Sequence, residues 1–239
     1  MDASLGKNVV DLPELRDRTA VFRDREHGGE ILARMLTDYS DGEATIIAIP
    51  AGGVPVAKVL AERLNLSLNL AVVSKITLPW NPEAGYGAVA YDGTVRLNDS
   101  LVARLGLTEE QIEEGIDKTL KKVAERVKKF RGLGALQGFS TKQAILVDDG
   151  LASGFTMLVA IEALKRAGVG SVHVAVPTGH ESSIVRIASG VDTLYCANVR
   201  GGFSFAVADA YVNWSDVSEE EVASLLVERG RPGKPVRKE

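Results

Sequence analysis

Apolar residues in this chain follow two rhythms, and their alternation carries the first prediction. "ATIIAIP" (44–50) is a short unbroken apolar run ended by proline, which reads as a buried strand. "LNLAVVSKI" (68–76), the run at 144–148, "SVHVAVP" (171–177) and "TLYCANV" (193–199) have the same character. Between these runs the apolar positions step by three and four. In "REHGGEILARMLTDY" (25–39), Ile31, Leu32, Met35, Leu36 and Tyr39 share one stripe. "VPVAKVLAERLNL" (54–66) is a second helix, with Pro55 in its tolerated first turn. The longest helix spans 108–130, capped by Thr108 with Gln111 three residues on. Its stripe of Ile112, Ile116, Leu120, Val123, Val127 and Phe130 suits packing on a sheet better than a coiled-coil seam. Further helices are expected at 154–167, stopped by Gly168, near 181–188, and from Ser218, capped with Glu221, to Gly230.

One segment breaks the alternation. "TLPWNPEAGYGAV" (77–89) carries two prolines and two glycines and reads as irregular. "AVAYDGTVRLN" (88–98) then sets Asp92-Gly93 between β-favouring arms, a strong hairpin signal. Strands alternating with helices predict an α/β fold with a mainly parallel sheet and helices on both faces. The hairpin is the exception, an antiparallel edge or flap.

Composition narrows the class. The chain has 239 residues, enough for one large domain or a domain with a small cap. It is 45% hydrophobic and 25% charged with a net charge of −4, so no global field favours nucleic acid or an anionic membrane. The basic cluster from Arg229 to Lys238 is rich in proline and glycine and reads as a frayed tail. Cys196, the single cysteine, excludes an internal disulfide and suggests a small core residue in a reducing, cytoplasmic setting. His27, His173 and His180 have no zinc spacing. The N-terminal stretch lacks the features of a signal peptide, and no apolar run approaches the roughly 20 residues that span a bilayer.

The chemistry concentrates in "AILVDDGLASGFTM" (144–157). Asp148 and Asp149 stand side by side where a strand ends, the edge at which such sheets bind ligands. Gly150 to Thr156 then supply glycines and hydroxyls at the opening of a helix, whose N-terminus favours anions. Acceptors beside anion donors suit a ribose 5-phosphate, with the aspartates on its 2- and 3-hydroxyls and Ser153, Gly154 and Thr156 on its phosphate. Alternatives from spacing alone are a Mg²⁺-bound phosphotransfer pair, a dinucleotide turn and a solvated loop. Neither a G-x-G-x-x-G nor a Walker A sequence is present.

"ILVDDGLASGFT" resembles the signature by which type I phosphoribosyltransferases bind 5-phosphoribosyl 1-pyrophosphate (PRPP). "IPAGGVPVA" (49–57) resembles the pyrophosphate loop of that family. "FRDREHGGEILA", "VVSKI", "WNPEAGYGAVAYDG" and "FAVADAYVNWSDVSEEEV" extend the likeness to a microbial group of these enzymes, from Val21 to Leu226. The resemblance implies a core (21–200) with a mobile flap (77–98) and a C-terminal hood and helix (201–230); residues 1–20 read as an N-terminal arm and 231–239 as a disordered tail.

It also implies a Mg²⁺-dependent transfer of the phosphoribosyl group to a nitrogenous acceptor, a nucleobase, with release of pyrophosphate. Asp148 and Asp149 would bind the ribose hydroxyls directly or through hydrated Mg²⁺. Gly150, Leu151, Ala152, Ser153, Gly154, Phe155 and Thr156 would hold the 5-phosphate. Ala51, Gly52, Gly53 and Val54 would offer amides to pyrophosphate, across a non-proline cis peptide in many relatives, with Lys75 reaching the same group. The acceptor would sit among Thr178, His180, Phe203, Phe205, Tyr211 and Trp214, and Glu83 in the flap is a candidate proton relay. Relatives commonly dimerise. A non-catalytic PRPP- or nucleotide-sensing regulator is the alternative on this fold, although no basic face or DNA-binding module is visible.

Four positions depart from the family pattern. Ser153 replaces a threonine, and Phe155 stands where a small residue is common. Ala51 lies where relatives frequently carry arginine, which removes one charge toward pyrophosphate. Ala152 replaces the aspartate of 6-oxopurine enzymes, which turns the expectation toward other bases.

Overall fold

The computed structural model describes residues 5–132 and 141–229, without the side chains of Pro82, Glu83, Glu228 and Arg229. The tail at 231–239, most of its basic cluster and the Glu83 carboxylate lie outside that description. The chain opens with β1 (Val9–Asp11), α1 (Arg25–Met35), β2 (Thr45–Ala48), α2 (Gly53–Arg63) and β3 (Ser67–Leu70). Then come β4 (Val73–Leu78), β5 (Asn81–Ala90), β6 (Val95–Leu97), α3 (Asp99–Leu105) and α4 (Glu109–Lys129). The rest runs β7 (Gln143–Val147), α5 (Phe155–Arg166), β8 (Ser171–His180), α6 (Glu181–Ala188), β9 (Thr193–Arg200) and α7 (Glu219–Arg229).

Among the described residues, six strands form one sheet in the order β1-β9-β8-β7-β2-β3. Every pairing in it is parallel. Side-chain alternation divides the core in two. Ile46, Ile145 and Val147 pack with Val54, Ala57 and Leu60 of α2 on one face. Ile47 and Leu146 pack with Met157, Ile161 and Leu164 of α5 on the other. Helices therefore cover both faces, as the strand runs require when neither face meets water. Cys196 is buried in this core. No helix among the described residues is long and apolar enough to cross a membrane.

Three expectations need correcting, and one strand joins the sheet from the arm. The run at 68–76 is two strands in two sheets, because Leu70 ends β3 while Val73 starts the antiparallel sheet β4-β5-β6. Ala71 and Val72 between them are fully buried, so the apolar run never signals the break. The segment 77–89 is mostly regular: Asn81–Ala90 is a strand. Its prolines and glycines fit because the β4–β5 register shifts around Thr77, the irregularity such residues mark. Residues 9–11 of the arm add an edge strand beside β9. Strand 171–177 continues to His180, paired through Thr178↔Asn198 and His180↔Arg200.

The hairpin at Asp92-Gly93 forms as expected, with Ala88 opposite Arg96. So does the capping box of α4, with Thr108 Oγ1 accepting from the Gln111 amide. That helix packs on the small sheet: Tyr86 Oη donates to the Gln111 carbonyl, and Gly115 leaves room for the Tyr86 ring.

Candidate functional site

Ala48 and Val147 are partners in adjacent strands at the middle of the sheet. Beyond them the chain leaves toward opposite faces, to α2 after β2 and to α5 after β7. Both helix N-termini open onto the crevice at the carboxyl edge, where such sheets bind ligands. A cleft of about 590 Å³ occupies it.

The cleft joins the two loops singled out in the sequence. Ala51, Gly52, Lys75, Asp148, Asp149 and the stretch from Gly150 to Gly154 line it, with Thr156. Gly53 and Val54 lie behind, buried in the first turn of α2. The Pro50–Ala51 peptide is cis. A methyl group on Gly52 would run into the Asp149 carboxylate, and one on Gly53 would come within 2.7 Å of the Val147 carbonyl. Only glycines let the two loops meet this closely.

The loop after Asp149 is tied down by its carbonyls. Leu151 accepts from the His180 amide at 2.9 Å, Ala152 from Ser183 Oγ at 2.5 Å and Ser153 from Arg186 Nη2 at 2.9 Å. Anchoring the carbonyls in protein leaves an anion fewer repulsive partners. Gly154 turns the chain into α5 with φ of 72°, a left-handed conformation suited to glycine. Phe155 faces Arg186, whose guanidinium stands 5.6 Å from its ring.

The paired carboxylates are held differently. Asp148 Oδ1 accepts from the Asp149 amide at 2.9 Å. Asp149 Oδ2 pairs with Arg25 Nε at 2.9 Å, and its carbonyl accepts from Tyr211 Oη at 2.6 Å. Burial raises the Asp148 pKa well above its ordinary value, and the neighbouring Asp149 charge adds to the rise. Burial also raises Asp149, against the pull of Arg25. Among the described residues no three His, Cys, Asp or Glu side chains gather as a metal cage.

The six acceptor candidates part company. Trp214 lines the cleft, with the Arg25 guanidinium 3.8 Å over its ring. Tyr211 is buried against the cleft wall. Thr178 is fully buried, its hydroxyl donating to Asn198 Oδ1 at 2.7 Å. His180 caps α6 through Nδ1, which accepts from the Ser182 amide, and Phe205 packs edge-on to its ring. Phe203 is fully exposed.

Sequence reasoning missed Arg25, Lys122, Arg126 and Val207. The last three line the cleft, and Val207 presses on Gly150, where a methyl would come within 2.6 Å. Arg25 did carry a signal. A cation in the first turn of a helix opposes the macrodipole and asks for another partner. The α4 cations carried none, since they lie among many charges on that helix.

Residues 25–210 match the family model of the phosphoribosyl transferase domain. Two strains of Mycobacterium tuberculosis contain curated relatives named "Putative phosphoribosyl transferase", MT0597 and Rv0571c. Each is 32% identical over 206 residues, 86% of this chain and 46% of the relative. The chain thus spans about half the length of those proteins. The crystal structure of TT1426 from Thermus thermophilus superposes with a TM-score of 0.70 at 28% identity, over 87% of this chain and 98% of that one. The match over residues 25–210, together with these relatives, makes the chain a member of the type I phosphoribosyltransferase family.

Proposed function

We propose that the protein transfers the 5-phosphoribosyl group of PRPP to a nitrogenous acceptor, a nucleobase, and releases pyrophosphate. The observation that carries this reading is the meeting of the aspartate loop and the glycine loop in one cleft, with Lys75 on its wall. Asp148 and Asp149 accept hydrogen bonds from the ribose hydroxyls. The loop from Gly150 to Thr156, at the start of α5, holds the 5-phosphate. Amides of residues 51–54 and the Lys75 ammonium hold the pyrophosphate.

The C1–O bond to pyrophosphate breaks with its electron pair leaving on oxygen, and the oxocarbenium-like sugar is attacked by an acceptor nitrogen. No protein nucleophile is needed; the chain positions both partners and stabilises charge. The donor set fits Mg²⁺: two adjacent carboxylates, Asp148 and Asp149, suit an ion that shares waters and substrate oxygens. Bound there, it would neutralise charge gathering on pyrophosphate. β4 and the residues Val207, Trp214 and Val217 border the cleft, and closing over bound substrate there would exclude water.

Ala152 leaves the acceptor side without the aspartate of 6-oxopurine enzymes. The base is then an adenine, orotate or uracil type. The test is pyrophosphate release from PRPP with Mg²⁺ across a panel of bases. Release with at least one base is expected. PRPP binding with no release across the panel would replace transfer by the sensing role, and no PRPP binding would remove both.

A further inference from the structure

Ala51 brings no charge to the glycine loop, yet the cleft is not short of positive charge on that side. Lys122 and Arg126 reach it from α4, one helical turn apart and therefore on one face. The geometry points to α4 as the source of the pyrophosphate's cationic partners, with Lys122 contacting the anion and Arg126 positioning the loop that binds it. This inference rests on the PRPP reading above and names a subsite contribution from outside both motif loops.

Arg126 is built into the wall. Its side chain is 12% exposed, and its guanidinium makes four bonds. Nη2 donates to the Pro50 carbonyl at 3.2 Å, at the head of the glycine loop. Nη1 donates to the Val73 carbonyl at 2.9 Å and Ser74 Oγ at 3.1 Å, just before Lys75. Nε pairs with Glu219 of α7 at 2.9 Å. One planar group thus fixes the glycine loop, the strand that carries Lys75 and the hood helix relative to one another. Five N–H groups in a rigid fork suit that task; a lysine ammonium could not span all these acceptors.

Lys122 stands differently. It is exposed along the chain but lines the cleft, where a flexible ammonium can follow a phosphate group as it leaves. Lys75 comes from β4 and Lys122 from α4, so an anion at the glycine loop meets cations from two elements. Lys118, one turn earlier, lines a neighbouring hollow that shares only Thr77 with the cleft. It carries the same charge on the same helix without reaching the site, and so serves as a control.

The experiment measures binding of pyrophosphate, PRPP and ribose 5-phosphate to the intact protein by calorimetry with Mg²⁺, for wild type, Lys122→Gln, Lys118→Gln, Arg126→Lys and Arg126→Gln. Loss of one charge-assisted contact predicts about tenfold weaker pyrophosphate and PRPP binding for Lys122→Gln. Ribose 5-phosphate, which lacks the pyrophosphate, should bind that variant as it binds wild type. Lys118→Gln should match wild type throughout. Arg126→Gln should weaken pyrophosphate binding while circular dichroism stays native, and Arg126→Lys should recover only part of it. Should Lys122→Gln bind pyrophosphate normally, or Lys118→Gln lose as much, the α4 assignment is wrong although PRPP still binds. A wild type that binds neither PRPP nor ribose 5-phosphate would instead overturn the underlying reading.

Discussion

Arg25 Nε lies 2.9 Å from Asp149 Oδ2, across 124 residues of sequence. The two side chains are only 10% and 16% exposed. The same guanidinium donates to the Ser215 carbonyl at 2.8 Å and covers Trp214. One arginine thus orients the Asp149 carboxylate and ties the Trp214–Ser215 segment to it.

Removing that cation strands Asp149. Breaking a buried pair from one side costs about 3 kcal/mol, because the remaining charge keeps its desolvation penalty. Arg25→Gln should lose that much in urea unfolding and bind PRPP more weakly. Adding Asp149→Asn should restore part of the stability but none of the binding. If the two losses in stability simply add, the pair is not coupled.

Asp148 is held at a cost to stability. Burial raises its pKa above the ordinary 3.8, so the folded state resists its ionisation. Stability therefore falls as pH rises from about 3.8 through the raised folded value, and at neutral pH the penalty is present. Asp148→Asn should raise the Tm of the ligand-free protein by about 2–4 °C near pH 7 and abolish PRPP binding. A lower Tm would mean that the carboxylate supports the fold.

Contact between the loops depends on two missing side chains. Gly52→Ala and Gly53→Val should each reduce PRPP turnover sharply, since either side chain meets Asp149 or the Val147–Asp148 backbone. Steady-state kinetics decide this. Unchanged kcat and KM in either variant would contradict the assignment of that loop to pyrophosphate.

His173 sits far from the cleft in a separate polar cluster. Tyr39 Oη lies 3.3 Å from its Nδ1, and Gln143 Nε2 lies 3.0 Å from its Nε2. Burial lowers its pKa below 6.5, opposed by Asp192. A lowered histidine contributes stability that is complete above about pH 6.5 and is lost as pH falls through the folded value. His173→Asn should flatten that decline, compared by urea unfolding at about pH 5 and about pH 8. An unaltered slope would assign the acid sensitivity elsewhere.

The alternation of elements and both motif loops were legible in the chain before any folding was considered. Those signals are local: an apolar run, a helical stripe, a capping pair such as Thr108 and Gln111, or two aspartates at a strand end. Local geometry and solvation decide each of them within a few residues. The sequence could not reveal that the run at 68–76 leaves one sheet for another, because both pieces are buried and look alike. Nor could it show which charged side chains serve the cleft. Arg25 and Asp149 are joined only when α1 packs beside β8, and Arg126 reaches Pro50 only when α4 crosses the small sheet. Charges on a solvated helix face look the same in sequence whether they meet water or a ligand. Packing between distant elements decides that, and it exists only once the chain has folded.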